Sequence, residues 1–131
     1  MSNSNDDAAS KALILIVEDE AIIAMDIAMQ LRDLGYEPLG PAVTGDEAIE
    51  IAGRLRPQLV LMDIHLDGPM DGIDAAQAIR NQFDIPCIFL SAFTEEERKA
   101  RAMLANPVGN LPKPFTEYEL CAVIAKALEV R

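Results

Sequence analysis

The sequence is poor in cysteine and in basic residues, and it lacks any long apolar run. Its two cysteines, Cys87 and Cys121, give neither a zinc-binding spacing nor a disulfide framework, so we expect both to be buried, reduced thiols. The longest uninterrupted apolar run covers six residues, Ala12 to Val17. Because a membrane-spanning helix needs roughly 20 such residues, no membrane span is predicted. The first residues show no basic region followed by an apolar stretch, so no secretion signal is predicted and a cytoplasmic location is expected.

The charge balance excludes two classes of partner. In 131 residues, 22 Asp and Glu outnumber 11 Lys and Arg, so the formal net charge is -11. Binding to nucleic acid relies on clustered Lys and Arg, and the anionic cytoplasmic face of a membrane repels a protein of this charge. We therefore expect neither nucleic-acid binding nor membrane insertion.

The length and the 50% apolar content fit one globular domain. Residues 1–10 are polar and acidic without periodicity, which predicts a disordered leader before a domain at residues 11–131. Three apolar runs lack alternation, as is typical of parallel strands covered on both faces: ALILIV (12–17), LVLM (59–62) and CIFL (87–90). Weaker strands are predicted near Glu37–Val43 and Val108–Pro112, and the prolines of the first favour a sheet edge.

Helical patterns lie between these strands. Ile23, Ile27, Leu31 and Leu34 form one apolar stripe, which Gly35 is placed to close. Four more helix starts are marked by capping residues: Thr44 with Glu47, Asp71, Thr94 with Glu97, and Thr116 with Glu119. Their inner faces include Ala76, Ile79 and Phe83 in one helix and Leu120, Ile124 and Leu128 in the last. Five strands alternating with five helices predict an α/β domain with a parallel sheet and helices on both faces.

Polar residues follow the predicted strands where an open parallel sheet binds its ligands. They are Glu18 and Asp19 after the first strand, Asp63 after the third, Ser91 after the fourth and Lys113 after the fifth. Each alone has an ordinary structural explanation as a helix-start acid, a turn residue, a cap or a surface charge. Their convergence at one edge favours a functional site.

Clustered carboxylates repel unless a cation holds them ionised, and hard oxygen ligands without His or Cys favour magnesium. A carboxylate is also a competent nucleophile toward phosphorus, a reaction that needs positioning and neutralisation of charge on the phosphoryl oxygens. Magnesium, the Lys113 ammonium and the Ser91 hydroxyl would supply that neutralisation. The product at Asp63 would be an acyl phosphate with about two negative charges, enough to move a hydroxyl and a nearby loop.

The pattern resembles the receiver domain of bacterial two-component response regulators. The motifs ILIVEDE, LVLMDIHL followed by MDG, FLSA and LPKPF carry this resemblance across residues 11–131. It implies a flavodoxin-like, doubly wound α/β fold whose five-stranded parallel sheet has the order 2-1-3-4-5, with five helices. It also implies a phosphoacceptor signalling module, with only self-phosphorylation and slow self-dephosphorylation as catalysis.

The resemblance also implies roles for individual residues. Asp63 would accept phosphate from a histidine kinase or a histidine phosphotransfer protein, and Mg²⁺ would be held by Glu18, Asp19, Asp63 and the backbone carbonyl of His65. Ser91 would be the switch hydroxyl and Lys113 the phosphoryl contact, with a cis peptide bond from Lys113 to Pro114.

The sequence departs from the family pattern at several places. Asn110 replaces the aromatic residue that many members carry three residues before the lysine, which puts the usual aromatic readout in doubt. The loop after Asp63 is one residue longer, with Asp67 and Gly68 before Pro69. His65 and Phe93 occupy positions that tune phosphate lifetime in the family, although His65 is equally well explained as an ordinary exposed loop residue.

No helix-turn-helix or catalytic segment follows the last helix, so output is expected to pass through an unidentified downstream protein. In the family the fourth helix, fifth strand and fifth helix contact that protein, and here this surface includes EEERKAR (95–101), which is also explained as a solvated charge run. The alternative function is an aspartate-nucleophile, Mg²⁺-dependent phosphohydrolase, which would carry a second Asp where His65 stands. A flavin or nucleotide carrier is disfavoured because the anionic VEDE would repel phosphate.

Overall fold

The computed structural model describes residues 11–66, 68–91 and 108–129, with Ser91 described through its main chain only. Five parallel strands form one sheet in the order β2-β1-β3-β4-β5, which confirms the predicted α/β fold and strand order. The strands are β1 (Leu13–Val17), β2 (Glu37–Ala42), β3 (Leu59–Asp63), β4 (Cys87–Ser91) and β5 (Gly109–Pro112). As its prolines predicted, β2 lies at an edge.

Four helices connect and cover these strands in the described ranges. They are α1 (Ala21–Asp33), α2 (Gly45–Leu55), α3 (Gly72–Phe83) and α4 (Glu117–Glu129). The fifth predicted helix, marked by Thr94 and Glu97, and the predicted leader at residues 1–10 lie outside the described residues. Within the part of the chain that is described, no helix has the length and apolarity to cross a membrane.

The sheet is covered on both faces, which explains why its strand sequences do not alternate. Leu15, Val17 and Met62 point into one buried cluster with residues of α2 and α3. Ile16 and Leu61, from the opposite face of the same strands, pack with residues of α1 and α4. Because both faces of the central strands are buried, the side chains that point to either face are apolar.

The two thiols differ in their burial. Cys87 is buried at the start of β4, as expected, but Cys121 is only partly buried. The prediction was therefore wrong for Cys121, because it lies beside the buried stripe of α4 rather than in it. Both cysteines are free.

Predicted caps mark the start of three of the four described helices, α2, α3 and α4. The Asp71 side chain accepts a hydrogen bond from the Asp74 amide at 2.9 Å, and it caps α3. Thr116 and Glu119 satisfy each other's backbone amides at 2.8 and 3.1 Å, forming the complete capping box at the start of α4. At α2, Thr44 also accepts from the Glu47 amide, at 3.1 Å.

A bulge in β2 brings its end next to the polar residues after β1. Leu15 pairs with Leu39 and Val17 with Ala42, so β2 holds one more residue than β1 between these pairs. Gly40 lies within this bulge at φ +95°, where a Cβ would lie 2.8 Å from the Ile16 carbonyl oxygen. The bulge allows the Ala42 carbonyl to accept a hydrogen bond from the Glu18 amide at 2.9 Å.

Candidate phosphoacceptor and metal site

Four of the five residues predicted at the strand ends form one cluster. The carboxylates of Glu18, Asp19 and Asp63 each offer an oxygen, and these atoms all lie within 4.8 Å of one another. The Lys113 ammonium lies 3.0 Å from Glu18 Oε1 and 3.4 Å from Asp63 Oδ2. The ends of β1, β3 and β5 therefore bring three acids and one base together, as the parallel topology predicted.

Asp63 is buried, with only 5% of its surface exposed. Its Oδ1 accepts a hydrogen bond from the His65 amide at 3.0 Å, while Oδ2 is the oxygen that faces Lys113. Because Asp63 is the last residue of β3, the strand fixes its main chain and the His65 amide then orients its carboxyl group. The side chain is thus held in one orientation before any ligand binds.

Glu18 is also buried, at 1% exposure, and it holds Lys113 in place. Lys113 Nζ donates to Glu18 Oε1 at 3.0 Å, and the Glu20 amide donates to Oε2 at 3.1 Å. Each of these oxygens keeps a second lone pair for a further ligand. Asp19 is partly buried and completes the acidic cluster on the more accessible side.

The electrostatics of the cluster oppose full ionisation. Burial raises the pKa of Asp63 to about 7; the Glu18 carboxylate also raises it, and Lys113 and the His65 amide only partly offset this rise. Burial alone would lower the pKa of Lys113, but the Glu18 hydrogen bond and the charges of Asp63 and Glu18 outweigh it and leave this pKa raised. Lys113 is therefore a permanent cation beside an acid that titrates near neutrality.

The donor set fits a divalent cation of the magnesium type. Three carboxylates and one ammonium give the fully ionised cluster a net charge of -2, which a divalent cation would neutralise. All the ligand atoms are hard oxygens, which favour Mg²⁺ over the transition metals. In addition, the Glu18 carboxylate, which together with burial raises the pKa of Asp63 to about 7, favours added positive charge beside Asp63.

Several predicted positions lie wholly or partly outside the description. They are the Ser91 side chain, Asp67, Phe93 and residues 95–101. The Ser91 main chain is described, and it pairs with Pro112 at the end of β4. His65 is exposed, lies two residues after Asp63 and makes at least one interaction with its surroundings. The roles predicted for Ser91, for the His65 carbonyl and for the longer loop stay predictions.

Two further expectations concern β5 and the residue after it. The Lys113–Pro114 peptide bond is cis, which confirms the expectation from the resemblance. Asn110 is partly buried and pairs with Phe89 of β4. Its Oδ1 atom is buried and, among the described residues, finds no hydrogen-bond partner.

The structure also shows an apolar surface beside the site that the sequence analysis missed. Ile22, Met25 and Met29 of α1 are 82%, 65% and 60% exposed. The i, i+3, i+7 spacing of these residues could have indicated a second apolar stripe on α1. A groove of about 660 Å³ adjoins Ile22 and reaches Lys113, Pro114 and Phe115. This surface, formed by the exposed stripe and the groove, is called the α1 surface below.

Known protein sequences and one family model match most of this chain. Residues 14–125 match the family model described as response regulator receiver domain. The transcriptional regulatory protein PdtaR of Mycobacterium tuberculosis is 42% identical over 122 residues, 93% of this chain and 59% of PdtaR. The phyllosphere-induced regulator PhyR of Methylorubrum extorquens is 39% identical over 116 residues, 88% of this chain and 43% of PhyR. The chain thus spans less than two thirds of the length of these relatives.

Solved structures share the fold over nearly the whole chain. A signal receiver domain of a modulated diguanylate cyclase from Desulfovibrio desulfuricans has a TM-score of 0.86 and 36% identity, covering 92% of this chain and 96% of that one. The receiver domain of the sensor histidine kinase PA1611 from Pseudomonas aeruginosa has a TM-score of 0.83 and 30% identity, covering 92% and 99%. That structure has a magnesium ion coordinated in its active site cleft.

Proposed function

The chain belongs to the response regulator receiver family, and from this premise we propose that Asp63 is its phosphoacceptor. A receiver domain is a phosphoacceptor signalling module that binds Mg²⁺ in its active site cleft and receives its phosphoryl group from a histidine kinase. The observation that supports Asp63 is the cluster itself, in which its Oδ2 lies 3.4 Å from Lys113 Nζ and its Oδ1 is fixed by the His65 amide. We assign residues 11–131 to the domain and place it in the cytoplasm.

In the proposed reaction, an ionised Asp63 oxygen forms a bond to phosphorus. The bond from phosphorus to the donor histidine nitrogen breaks, and its electron pair stays with the departing imidazole. Lys113 offsets negative charge on the phosphoryl oxygens, and Glu18 keeps the Lys113 ammonium at that position. Glu18, Asp19, Asp63 and the His65 carbonyl would hold Mg²⁺, which neutralises phosphoryl charge when it is bound. The Ser91 hydroxyl would sense the new phosphoryl group.

The α1 surface supports a protein, rather than a small molecule, as the physiological donor. It is apolar, it is exposed, and its groove ends at Lys113 beside the acceptor. A donor protein whose phosphohistidine reaches the buried Asp63 would cover this surface. We propose a histidine kinase or a histidine phosphotransfer protein as that donor, a further protein as the recipient of the signal, and neither nucleic acid nor a membrane as a direct partner of this domain.

Family membership decides against the alternative of a dedicated phosphohydrolase. The position two residues after Asp63, where such a hydrolase would carry a general acid, holds an exposed His65. In the receiver function, the phosphoryl group stays on the acceptor long enough to change a surface. In the hydrolase function, it would leave after each turnover.

Intact-protein mass spectrometry in the presence of a small acyl phosphate and Mg²⁺ tests this function. We expect the mass of each chain to increase by one phosphoryl group, which is added slowly and lost slowly. The protein should therefore not consume many molecules of acyl phosphate in the time that one adduct survives. Asp63→Asn removes the nucleophile and should abolish the adduct. Asp33→Asn, which makes the same charge change at the exposed end of α1, should leave it intact.

Two outcomes would contradict the proposal. An adduct that persists in folded Asp63→Asn would place the acceptor elsewhere, and rapid multiple turnover of phosphate esters by the wild-type protein would support the hydrolase. Circular dichroism of each variant shows whether it is folded.

A further inference from the structure

The first residue of α3 lies against the main chain of the acceptor. Gly72 is buried, and a Cβ at this position would overlap the Asp63 carbonyl oxygen. The same Cβ would lie 2.8 Å from the Asp63 carbonyl carbon and 2.8 Å from Ile64 Cα. All three atoms belong to the main chain of the last residue of β3 and of the residue after it, so no side-chain rotation relieves the overlap.

The need for glycine at position 72 is therefore steric. Among the described glycines, positive φ angles occur at Gly35, Gly40 and Gly68, but not at Gly72. An alanine could adopt the backbone conformation of Gly72, and only the space beside Asp63 excludes it. A close approach of this kind uses the missing side chain to bring two backbone segments together.

A hydrogen bond also joins the two ends of the segment that connects β3 to α3. The Gly72 amide donates to the Ile64 carbonyl at 2.9 Å, and the Ile64 amide donates to Leu90 of β4 at 3.1 Å. One residue further, the His65 amide donates to Asp63 Oδ1 at 3.0 Å. The segment that orients the acceptor carboxylate is thus held between the sheet and the first turn of α3.

We propose that Gly72 is a positioning residue for the acceptor, because its missing side chain lets the start of α3 hold Asp63 and the His65 amide in place. This inference rests on the proposed function of Asp63. It predicts that a methyl group at position 72 displaces the end of β3 and the residues after it. The displaced carboxylate and His65 carbonyl would then no longer match the positions that the metal and the phosphoryl group require.

Gly72→Ala tests the proposal in both the metal-free and the metal-bound protein. Without metal, we expect amide hydrogen exchange at His65 to rise about tenfold or more, while exchange within β1 and β4 stays unchanged. With metal, we expect the Mg²⁺ dissociation constant to rise about tenfold and phosphorylation at saturating Mg²⁺ to slow by a similar factor. A purely structural role would raise exchange throughout the sheet and leave the metal affinity of the folded fraction unchanged.

Gly53→Ala is the matched control. Its Cβ would lie 2.6 Å from Phe83 Cζ, so this variant also adds a close contact, but between α2 and a partly buried side chain at the far end of α3. We expect it to leave both the Mg²⁺ affinity, within about twofold of the wild-type value, and the exchange of the His65 amide unchanged. If Gly72→Ala is folded and has wild-type exchange at His65 and wild-type Mg²⁺ affinity, the proposal is overturned.

A measurement on the wild-type protein covers the case in which Gly72→Ala does not fold. When Mg²⁺ is titrated into the ¹⁵N-labelled protein, the Gly72 amide should shift together with the amides of Asp63 and His65. A Gly72 amide that stays fixed while these two shift would contradict the coupling. Failure of the proposed function is distinguishable, since the wild-type protein would then acquire no phosphoryl group whatever residue 72 does.

Discussion

At the scale of single residues, the site depends on a buried carboxyl group that is difficult to ionise. Burial raises the pKa of Asp63 to about 7, whereas the ordinary value is 3.8. Between these two pH values the folded protein binds a proton that the unfolded chain does not. The free energy of unfolding therefore falls as pH rises through this range, and above pH 7 the ionised Asp63 destabilises the metal-free fold.

Asp63→Asn should accordingly stabilise the metal-free protein at high pH. We expect a clear gain in the free energy of unfolding at pH 8, where wild-type Asp63 is ionised, and a much smaller gain at pH 4, where it is protonated. Thermal unfolding in the presence of a chelator measures the difference. Adding Mg²⁺ at pH 8 should stabilise the wild-type protein and have little effect on the variant. A variant that is no more stable than wild type at pH 8 would contradict the assigned pKa.

At the scale of elements, the β2 bulge anchors the main chain of Glu18, because the Ala42 carbonyl accepts a hydrogen bond from the Glu18 amide at 2.9 Å. Gly40→Ala should destabilise the protein by about 2 kcal/mol or more, because Gly40 has φ +95° and its Cβ would lie 2.8 Å from the Ile16 carbonyl oxygen. Gly35→Ala is the matched control, since Gly35 has φ +93° but no atom of the described residues lies within 4 Å of the added Cβ. Chemical denaturation of both variants measures the excess at Gly40. Equal losses would mean that the close approach to β1 contributes nothing.

Most elements could be predicted from the sequence because local chemistry determines them. Apolar runs without alternation indicated the central strands, and the side chains of Thr44, Asp71 and Thr116 marked helix starts that the structure confirms. The strand ends then placed Glu18, Asp63 and Lys113 together without any knowledge of distances. Parallel topology alone makes this placement possible.

The features that the sequence analysis missed depend on contacts between distant residues. Nothing near Gly72 in the sequence indicates that its missing side chain lies against Asp63, since that contact exists only once α3 docks beside β3. The one-residue bulge in β2 depends on its register with β1. The exposure of Ile22 and Met25 depends on which side of α1 faces the sheet, and a helix with two apolar stripes leaves that choice open.

At the scale of the whole molecule, the α1 surface reaches Lys113, whose ammonium lies 3.4 Å from Asp63 Oδ2. Replacing Ile22 and Met25 by Gln should reduce phosphotransfer from a histidine kinase by about tenfold or more, because apolar contacts with the donor protein are lost. Phosphorylation by a small acyl phosphate should be unchanged, since such a donor needs only the acidic cluster. Parallel assays with both donors measure this difference.

Leu55→Gln is the control for the α1 surface. Leu55 is 43% exposed at the end of α2, on the other face of the sheet, and its replacement should affect neither donor. If the Ile22 and Met25 variant slows the kinase and the small donor equally, the α1 surface acts on the site itself rather than on docking. Unchanged rates with both donors would place the kinase contact elsewhere.

The central claim is that a phosphoryl group is attached to the Asp63 carboxylate, next to Lys113 and a bound Mg²⁺. The most direct test is to phosphorylate the protein with a small acyl phosphate, reduce the acyl phosphate with borohydride, and locate the reduced residue by peptide mass spectrometry. We predict a single reduced residue at position 63 and none when a chelator removes Mg²⁺. Reduction at any other Asp or Glu, or at position 63 to the same extent without Mg²⁺, would contradict the account.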